Sequence, residues 1–398
     1  MKKLLMATAA TALMTGAASA EDIKLGVLLG FTGPIESTVA HMGPAADLAM
    51  KEVTDSGKLL GGSTVTGVNG DTTCIDSSAA TAAAERLITS DGVKGIIGGD
   101  CSGVTGAILN NVALPNGVVM ISPSATSPAL SHMNNEDNGL FFRTAPSDAR
   151  QGVVMTEALM DQGIKSVAVT YTNNDYGKGL ADAFQAAFEA AGGTVTISAA
   201  HEDGKADYSA EVGALAAAGG DRLVVAGYVD QGGAGIVRAA LDTGAFDTFH
   251  FPDGMISDAL AANFGTEIDG STGQHPSPSE ELTNRFKEVA AAAGGDWDPT
   301  TPFSPESYDA AALIMLAMQA AGTSDPQVYK EKIMEVANAP GEPIQAGELG
   351  KALEIIAAGG DVDYVGGTGV ELVGPGEAAG NYREVVIKDG KIETVQYR

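Results

Sequence analysis

The chain has 398 residues, of which 44% are hydrophobic, and its formal net charge is −28. This length exceeds what one hydrophobic core usually supports, so two domains are expected, and the hydrophobic content excludes a disordered chain. The excess of carboxylates excludes nucleic acid and anionic lipid as partners, because both are bound through clustered Lys and Arg.

The first twenty residues predict export. Lys2 and Lys3 precede an uncharged stretch of apolar and small residues at 4–16, and an Ala-x-Ala cleavage pattern follows at 18–20. This order is that of a secretory signal peptide, and its apolar part is too short for a membrane helix. The mature chain is therefore expected to begin at Glu21 and to act in the periplasm.

Strands and helices alternate from the start of the mature chain. Helices have small and apolar residues at helical spacing, whereas the strands are short apolar runs. Such alternation is typical of a parallel sheet covered by helices on both faces. The elements predicted for this first unit lie at 23–29, 43–53, 64–68, 77–90, 94–97, 102–111 and 118–121.

The same alternation restarts after Phe141, so the sequence predicts a second α/β unit with a boundary near Ala145-Pro146. Asp389-Gly390 near the C-terminus is a hairpin turn signal. The second unit is predicted from elements at 147–162, 166–170, 176–191, 194–198, 208–218, 223–226, 235–241 and 249–251. Three further helices, at 280–292, 308–321 and 327–337, precede a β-rich tail at 370–373, 384–388 and 392–397.

Cys74 and Cys101 are the two cysteines of the chain, 27 positions apart. In an exported protein such a pair is expected to be oxidised. Two free thiols are the alternative. A metal site is disfavoured, because no Cys or His spacing matches that of metal ligands.

Short catalytic signatures are absent from the sequence. The five histidines are scattered, and no H-E-x-x-H, G-x-S-x-G or P-loop pattern occurs. We therefore predict a protein that is not an enzyme and needs no cofactor or metal. An enzyme without a short signature is one alternative, and a sensory ectodomain or regulator is another; the latter would need a transmembrane or DNA-binding segment.

Polar residues follow several predicted strands, where open α/β sheets bind their ligands. In the first unit, the loops at 98–102 and 122–126 offer hydroxyls and backbone N–H groups at helix starts, which suit a carboxylate. In the second unit, Asn173–Tyr176, Tyr228 and Pro252–Gly254 follow strands, and Asp253 suits an ammonium group. Helix capping, partial burial and turn formation are the alternative explanations for these residue types.

Two runs are specific in this order, I-S-P-x-A-T-x-P at 121–128 and Y-G-x-G-L at 176–180. Together with Cys101-Ser102, Pro252–Gly254 and Tyr308–Ala311, they make the chain resemble the periplasmic leucine/isoleucine/valine-binding proteins, which have the type I periplasmic binding protein fold. The resemblance extends over essentially the whole mature chain.

This resemblance implies an α/β protein of two doubly wound lobes, joined by three hinge crossings, that close around a ligand. It implies a monomer that captures an amino acid, branched-chain types first, and delivers it to an inner-membrane ABC permease. Cys74 and Cys101 match the disulfide of this family. The lobes are expected to comprise 21–145 with about 276–364, and 146–275 with about 365–398.

The resemblance also implies how the head group of an amino acid is held. Ser102 and Thr126 would bind the ligand carboxylate, and Ser124 with Ala125 would contribute backbone groups. Asp253 occupies the position of a glutamate that pairs with the α-amino group in these proteins.

The remaining expected site residues surround the ligand side chain. Tyr176 and Tyr228 match tyrosines that close the cleft from the second lobe. Thr38 replaces a tryptophan of the leucine binders, and Phe303 replaces a cleft tyrosine, so the side-chain pocket is remodelled. An amide, urea, or an aromatic or short carboxylic acid is therefore the alternative ligand class, with the same transport role.

Overall fold

A computed structural model describes residues 20–133 and 138–398. The predicted signal peptide at 1–20 lies outside the described residues, apart from Ala20. Nowhere in the described ranges is a helix both long and apolar enough to cross a bilayer.

Within the described residues, the strands lie in two large sheets and one small one. In chain order they are β1 (Asp22–Leu29), β2 (Thr64–Asp71), β3 (Ile96–Gly98), β4 (Met120–Ser122), β5 (Phe141–Pro146), β6 (Ser166–Thr172), β7 (Thr194–His201), β8 (Arg222–Ala226), β9 (Phe249–Phe251), β10 (Thr272–Pro276), β11 (Glu342–Gln345), β12 (Val362–Gly366), β13 (Leu372–Val373), β14 (Glu377–Ala378), β15 (Tyr382–Lys388) and β16 (Lys391–Tyr397).

Helices cover both faces of the large sheets. In chain order they are α1 (Glu36–Ser56), α2 (Ser77–Thr89), α3 (Ser102–Ile108), α4 (Leu114–Asn116), α5 (Pro128–Met133), α6 (Asp148–Asp161), α7 (Asp175–Ala190), α8 (Ser209–Ala218), α9 (Gly232–Thr243), α10 (Asp258–Phe264), α11 (Glu280–Ala293), α12 (Ser304–Ala321), α13 (Pro326–Tyr329), α14 (Ile333–Ala337) and α15 (Leu349–Ala357).

Both large sheets are doubly wound in the same order. The first sheet runs β13-β14-β5-β4-β3-β1-β2, and the second runs β16-β15-β10-β9-β8-β6-β7. The strands β1 to β5 and β6 to β10 pair in parallel within their own sheets. Each sheet reverses its winding direction beside its first strand, between β1 and β3 or between β6 and β8. The fold is therefore two α/β lobes, each with a topological switch point at which ligands bind in such sheets.

Over the part of the chain that the structure describes, the polypeptide passes between the two large sheets three times. It leaves the first sheet after β5, returns after β10, and leaves it again between β14 and β15. The third passage differs from the boundary expected near residue 365. The reason is that β13 and β14 are still paired within the first sheet, β14 lying beside β5. Two-residue strands carry too little periodicity to be assigned from sequence.

Several element bounds also differ from the sequence prediction. Helix α1 begins at Glu36 rather than near residue 43, and Pro44 lies inside it. Its first turns bury Val39 and Met42 against the core, and this packing extends the helix past the proline. The helix predicted at 327–337 is instead interrupted by a 3-10 turn at Lys330–Lys332.

The core of the first lobe is built around α12. Fifteen consecutive residues of this helix, from Ser304 to Met318, are buried. A helix that is buried on all sides belongs in an interior, and α12 packs against α1 and α15. The first turn of α12 contacts the first crossing, because the Thr144 hydroxyl donates to the carbonyl of Glu306. Phe303, just before this turn, lines the space between the lobes.

Candidate ligand-binding site

The carboxyl ends of the parallel strands in the two lobes face each other across a cleft. The loop after β3 and the loop after β4 come from the first lobe, and those after β6, β8 and β9 come from the second. These are the loops in which sequence analysis finds polar residues that follow strands. The topology brings these loops together at the two switch points.

Side chains from both lobes line one space in this cleft. Its volume is about 30 Å³, which is room for roughly one or two water molecules. The lining residues are Ile35, Thr38, Asp100, Cys101, Ser102, Ser124, Tyr176, Tyr228, Asp253, Gly254 and Phe303. Seven of the nine predicted ligand-binding residues are among them, the exceptions being Ala125 and Thr126.

Ser102 is the first residue of α3 and is buried. Its Oγ accepts a hydrogen bond from the backbone N of Ser127 at 3.1 Å. Ser124 donates through its Oγ to the backbone O of Asp100 at 3.0 Å. The loops after β3 and β4 are thus bound to each other, and the hydrogen of the Ser102 hydroxyl stays available for an acceptor in the cleft.

Ala125 and Thr126 lie behind the wall of the space rather than on it, and both are fully buried. Arg143 Nη1 donates to the carbonyls of Ala125 and Ser127, each at 3.0 Å. The Thr126 carbonyl accepts from the backbone N of Asp148 at 2.8 Å. The loop after β4 is therefore fixed from behind by β5 and by the start of α6.

Arg143 is fully buried and also forms a short ion pair with Glu377 of β14. A buried pair of this kind is strongly destabilised when one partner is removed, because an uncompensated charge remains. Arg143 thus positions the loop after β4. Sequence analysis did not single out Arg143, because its partner is 234 residues away along the chain.

The aromatic wall of the cleft comes from the second lobe. The rings of Tyr176 and Tyr228 stack with centroids 5.3 Å apart. Tyr176 donates its hydroxyl hydrogen to Asp253 Oδ1 at 2.6 Å, and the backbone N of Gly254 donates to the same oxygen at 2.9 Å. Asp253 is consequently held with its carboxylate facing the space.

The two glycines of the Y-G-x-G-L run permit close contacts. A Cβ on Gly177 would lie 2.2 Å from the carbonyl O of Thr172, within the second lobe. A Cβ on Gly179 would lie 3.0 Å from Pro128 Cδ, across the cleft. The run therefore places α7 against its own sheet and against the first lobe.

A disulfide joins Cys74 to Cys101, with Cα atoms 5.2 Å apart. Beside it, buried Asp100 accepts from the backbone N of Gly30 and from the Thr72 hydroxyl, both at 2.7 Å. The disulfide and this carboxylate together connect the loops after β1, β2 and β3. Sequence analysis did not single out Asp100, although it lies in the predicted loop at 98–102.

The lobes touch each other at the edge of the cleft. Asp230 Oδ2 accepts from the backbone N of Ser37 at 2.9 Å, and the backbone N of Asp230 donates to the carbonyl of Pro34 at 3.2 Å. Ser37 is in the first turn of α1, where a carboxylate is favoured by the exposed N–H groups and the helix dipole. The structure is therefore a closed arrangement of the two lobes.

Burial dominates the electrostatics of the cleft. It raises the pKa of Asp253, although hydrogen bonds from Tyr176 and the neighbouring Gln151 act in the opposite direction. Burial also raises the pKa of Asp148 well above its usual range, and the charge of Asp253 raises it further. A cation bound next to a buried carboxylate of this kind stabilises its charged form.

Among residues 20–133 and 138–398, no group of three or more His, Cys, Asp or Glu side chains is arranged to hold a metal ion. The polar groups of the cleft are hydroxyls, backbone groups and single carboxylates. These are the donors and acceptors that recognise organic ligands.

Comparison with known proteins shows which family the chain resembles in sequence. Residues 22–345 match the periplasmic binding protein family. The Leu/Ile/Val-binding protein homolog 1 of Brucella melitensis is 30% identical over 329 residues, which covers 80% of this chain and 84% of that protein.

Two solved structures share the fold. The leucine-binding protein LivK of Thermotoga maritima superposes with a TM-score of 0.77 at 23% identity, covering 94% of this chain and 98% of the other. A solute-binding protein of an ABC transporter from Rhodopseudomonas palustris, in complex with p-hydroxybenzoic acid, has a TM-score of 0.75 at 19% identity and covers 95% and 97%.

Proposed function

The chain belongs to the periplasmic binding protein family, and we propose that it captures an α-amino acid, branched-chain types first, between its lobes for an ABC importer. Members of this family bind small molecules outside the cytoplasm. The protein carries the ligand to an inner-membrane permease as a monomer and catalyses no reaction. ATP hydrolysis belongs to other subunits of such an importer.

The observation that carries this proposal is the opposite chemistry of the two sides of the cleft. The first lobe presents the Ser102 hydroxyl, whose hydrogen is not used in the contact with Ser127. Ser102 is also the first residue of α3, and the backbone N–H groups at the start of a helix favour an anion. The second lobe presents the buried carboxylate of Asp253. An α-amino acid has one group for each side, a carboxylate and an ammonium, on neighbouring atoms.

The walls of the cleft favour an apolar ligand side chain. Ile35 and Phe303 contribute apolar surface from the first lobe, and the stacked Tyr176 and Tyr228 contribute ring faces from the second. Thr38 lines the same space with a small side chain. This lining supports branched-chain amino acids, which are the ligands named for the Brucella melitensis and Thermotoga maritima relatives.

Tyr176, Tyr228 and Asp253 are buried between the lobes. A ligand therefore reaches them only when the lobes separate, which breaks the contacts of Asp230 with Pro34 and Ser37. The ligand docks on one lobe, and closure then removes water and strengthens the charged hydrogen bonds. The closed, loaded form is the one delivered to the permease.

A second candidate ligand is an aromatic carboxylic acid. Stacked tyrosine rings and Phe303 provide faces for a benzene ring. Burial raises the pKa of Asp253, which disfavours its charged form when no ammonium partner is bound. The structural relative from Rhodopseudomonas palustris is in complex with p-hydroxybenzoic acid.

Calorimetric titration with two matched ligands tests the proposal. Leucine and 4-methylpentanoate have the same carbon skeleton and carboxylate, but only leucine has an amino group. The protein is expected to bind leucine more tightly. The variant Asp253→Asn should weaken leucine binding by about 30-fold or more, because a buried charge loses its partner. Binding of 4-methylpentanoate should be nearly unaffected.

Asp247→Asn is the matched control, because this aspartate is exposed and lies on the second lobe away from the cleft. Equal loss of leucine and 4-methylpentanoate in Asp253→Asn would contradict the assigned head-group contact. Binding of p-hydroxybenzoate with no heat from any amino acid would replace the first candidate by the second.

A further inference from the structure

The three crossings between the lobes border a cavity of their own, which we call the hinge cavity. It is lined by Pro146 from the first crossing, Ser277 from the second and Asn381 from the third, together with Glu306 and Thr368 of the first lobe. Its volume is about 150 Å³, which is room for an ion and a few water molecules. The described residues that line it differ from those that line the ligand-binding cleft, so the two spaces are separate.

Glu306 brings a buried carboxyl to this cavity. It is the third residue of α12, where backbone N–H groups at the start of the helix lower the pKa of its carboxyl. These groups leave its Oε2 without a hydrogen-bond partner. A buried carboxyl oxygen without a partner costs stability, so capping of the helix does not by itself explain this side chain.

Three hydroxyls in the wall of the cavity have already donated their hydrogens. Thr144 donates to the carbonyl of Glu306 at 2.8 Å, and Thr368 donates to Asp309 Oδ2 at 2.7 Å. Ser277 donates to the carbonyl of the residue that follows it at 3.4 Å. A hydroxyl has one hydrogen and two lone pairs, so these three oxygens can only accept. Together with Glu306 Oε2, they favour a cation in the cavity.

The neighbouring carboxyl on α12 adds negative charge. Asp309 lies one turn further along the helix, is fully buried, and accepts its hydrogen bonds from neutral groups. Burial raises the pKa of Glu306 well above its usual range, and the charge of Asp309 raises it further. A cation next to Glu306 acts in the opposite direction, because it stabilises the charged carboxylate.

The positive charge nearest to Glu306 along its wall is already engaged. A smaller cavity, of about 10 Å³, also has Glu306 in its wall and is lined by His275 and Arg383. Arg383 Nε donates to His275 Nε2 at 3.0 Å, and His275 Nδ1 donates to the carbonyl of Pro276 at 2.7 Å. Burial lowers the pKa of His275 well below its usual range, so this ring is neutral. Neither side chain is a partner of Glu306 Oε2.

We propose that the hinge cavity binds one monovalent cation, an alkali ion or ammonium, on the carboxylate of Glu306. One carboxylate balances one positive charge, and the hydroxyl oxygens of Thr144, Ser277 and Thr368 supply further ligands of the kind that hard cations prefer. Among residues 20–133 and 138–398, no group of three or more acidic, His or Cys side chains offers the charge that a divalent ion usually takes.

Such a cation connects the first and second crossings to α12. Lobe separation in a two-lobed protein changes the backbone at the crossings, so it also changes the distances between these ligands. The cavity described here belongs to the closed arrangement, and a cation that binds this arrangement more tightly favours closure. The cation should therefore raise the affinity for the cleft ligand. This consequence rests on the proposed function, whereas the cation site itself does not.

Thermal unfolding in four chloride salts at equal ionic strength tests the site. Potassium, sodium and ammonium fit the cavity, and the bulky cation N-methylglucamine does not. The melting temperature of the unaltered protein is expected to be about 2–4 °C higher in at least one of the three small cations than in N-methylglucamine. Glu306→Gln should lose this difference. Glu331→Gln, whose side chain is 74% exposed on the same lobe, should keep it.

Equal melting temperatures of the unaltered protein in all four salts would overturn the inference and leave water as the occupant of the cavity. This comparison needs no variant, so a poorly folded Glu306→Gln does not impair it. A difference that persists in Glu306→Gln would also overturn it. Crystals grown with thallium(I), which replaces potassium, should show an anomalous peak beside Glu306 Oε2.

Calorimetric titration with leucine tests the link to closure. Leucine should bind at least about fivefold more tightly in the stabilising salt than in N-methylglucamine chloride. Equal affinities, with the thermal shift retained, would overturn the link. If leucine binds in none of the salts, the proposed function fails, and the melting temperatures still decide whether the cation site exists.

Discussion

Ser102 illustrates how a single side chain serves both the fold and a ligand. Its Oγ accepts from the backbone N of Ser127 and so joins the loops after β3 and β4. A hydroxyl has one hydrogen to donate, and that hydrogen is not used by the protein contact. The same side chain can therefore hold its loop in place and bind a carboxylate.

Replacing Ser102 by Ala should weaken amino acid binding by about 1.5–3 kcal/mol, or roughly 10- to 100-fold in Kd, which is the range for hydrogen bonds to charged groups. Part of the loss would come from the unpaired N–H of Ser127. Calorimetric titration with leucine measures the effect. Ser78→Ala is the matched control, because Ser78 is exposed on α2. An unchanged affinity in Ser102→Ala would remove this hydroxyl from the site.

The residues that sequence analysis finds are those that follow a strand. Ser102, Tyr176 and Asp253 each lie within four residues of the end of a strand, so their position at the sheet edge can be read from the chain. Arg143 cannot be found in this way. Its role depends on Glu377, a partner from a distant strand, and no local pattern records that contact.

At the scale of elements, α12 shows how a buried helix carries charge into the core. Asp309 is fully buried, and its carboxylate accepts from the Tyr364 hydroxyl at 2.7 Å and from the backbone N of Gly367 at 2.8 Å. Thr368 donates to the same carboxylate through both its backbone N and its hydroxyl. These bonds attach the strand β12 and the loop after it to α12.

Burial raises the pKa of Asp309 from 3.8 to about 6. Between these values the folded protein keeps a proton that the unfolded chain releases, so the stability contributed by this group falls as pH rises from about 4 to about 6. The shift corresponds to about 3 kcal/mol. In Asp309→Asn this decline should be absent, so the stability of the unaltered protein relative to the variant should fall by that amount over the same range.

Urea unfolding at pH 4, 5, 6 and 7 checks this prediction. Fluorescence of Trp297, the single tryptophan, reports on the first lobe, where it packs against Phe286. Asp361→Asn, an exposed aspartate of the same lobe, is the control. If the difference in unfolding free energy between the unaltered protein and Asp309→Asn stays constant across this pH range, the pKa of Asp309 is the same in the folded and unfolded states.

Element types were easier to predict than element limits. Long elements with clear periodicity, such as α7 and β6, lie close to the residues expected for them. The predicted start of α1 near residue 43 was wrong, because Val39 and Met42 are buried against the core and the helix begins at Glu36. Tertiary packing outweighs a local signal there.

At the scale of the whole molecule, alternation of strands and helices correctly predicts two doubly wound lobes. The order of the strands and the third crossing could not be derived from alternation, because both depend on which distant strands pair. The position of the site follows from the topology, since both switch points open into one cleft. Closure of that cleft depends on contacts between the two lobes.

The contact of Asp230 with α1 is the clearest of these closing contacts. Its carboxylate accepts from the backbone N of Ser37, and its own N–H donates to Pro34, so a side chain of the second lobe caps a helix of the first. Capping contacts of this kind contribute about 0.5–2 kcal/mol. None of the residues that line the cleft takes part in it.

Asp230→Ala should therefore shift the protein toward separated lobes. It should lower the affinity for every ligand by the same factor, about 2- to 30-fold. The preference between leucine and 4-methylpentanoate should not change, in contrast to Asp253→Asn. Small-angle X-ray scattering of the empty protein should show a larger radius of gyration for Asp230→Ala, and saturating ligand should restore the compact value. Asp242→Ala, whose side chain is 65% exposed, is the control. A change in ligand preference with unchanged scattering would mean that Asp230 acts on the ligand rather than on closure.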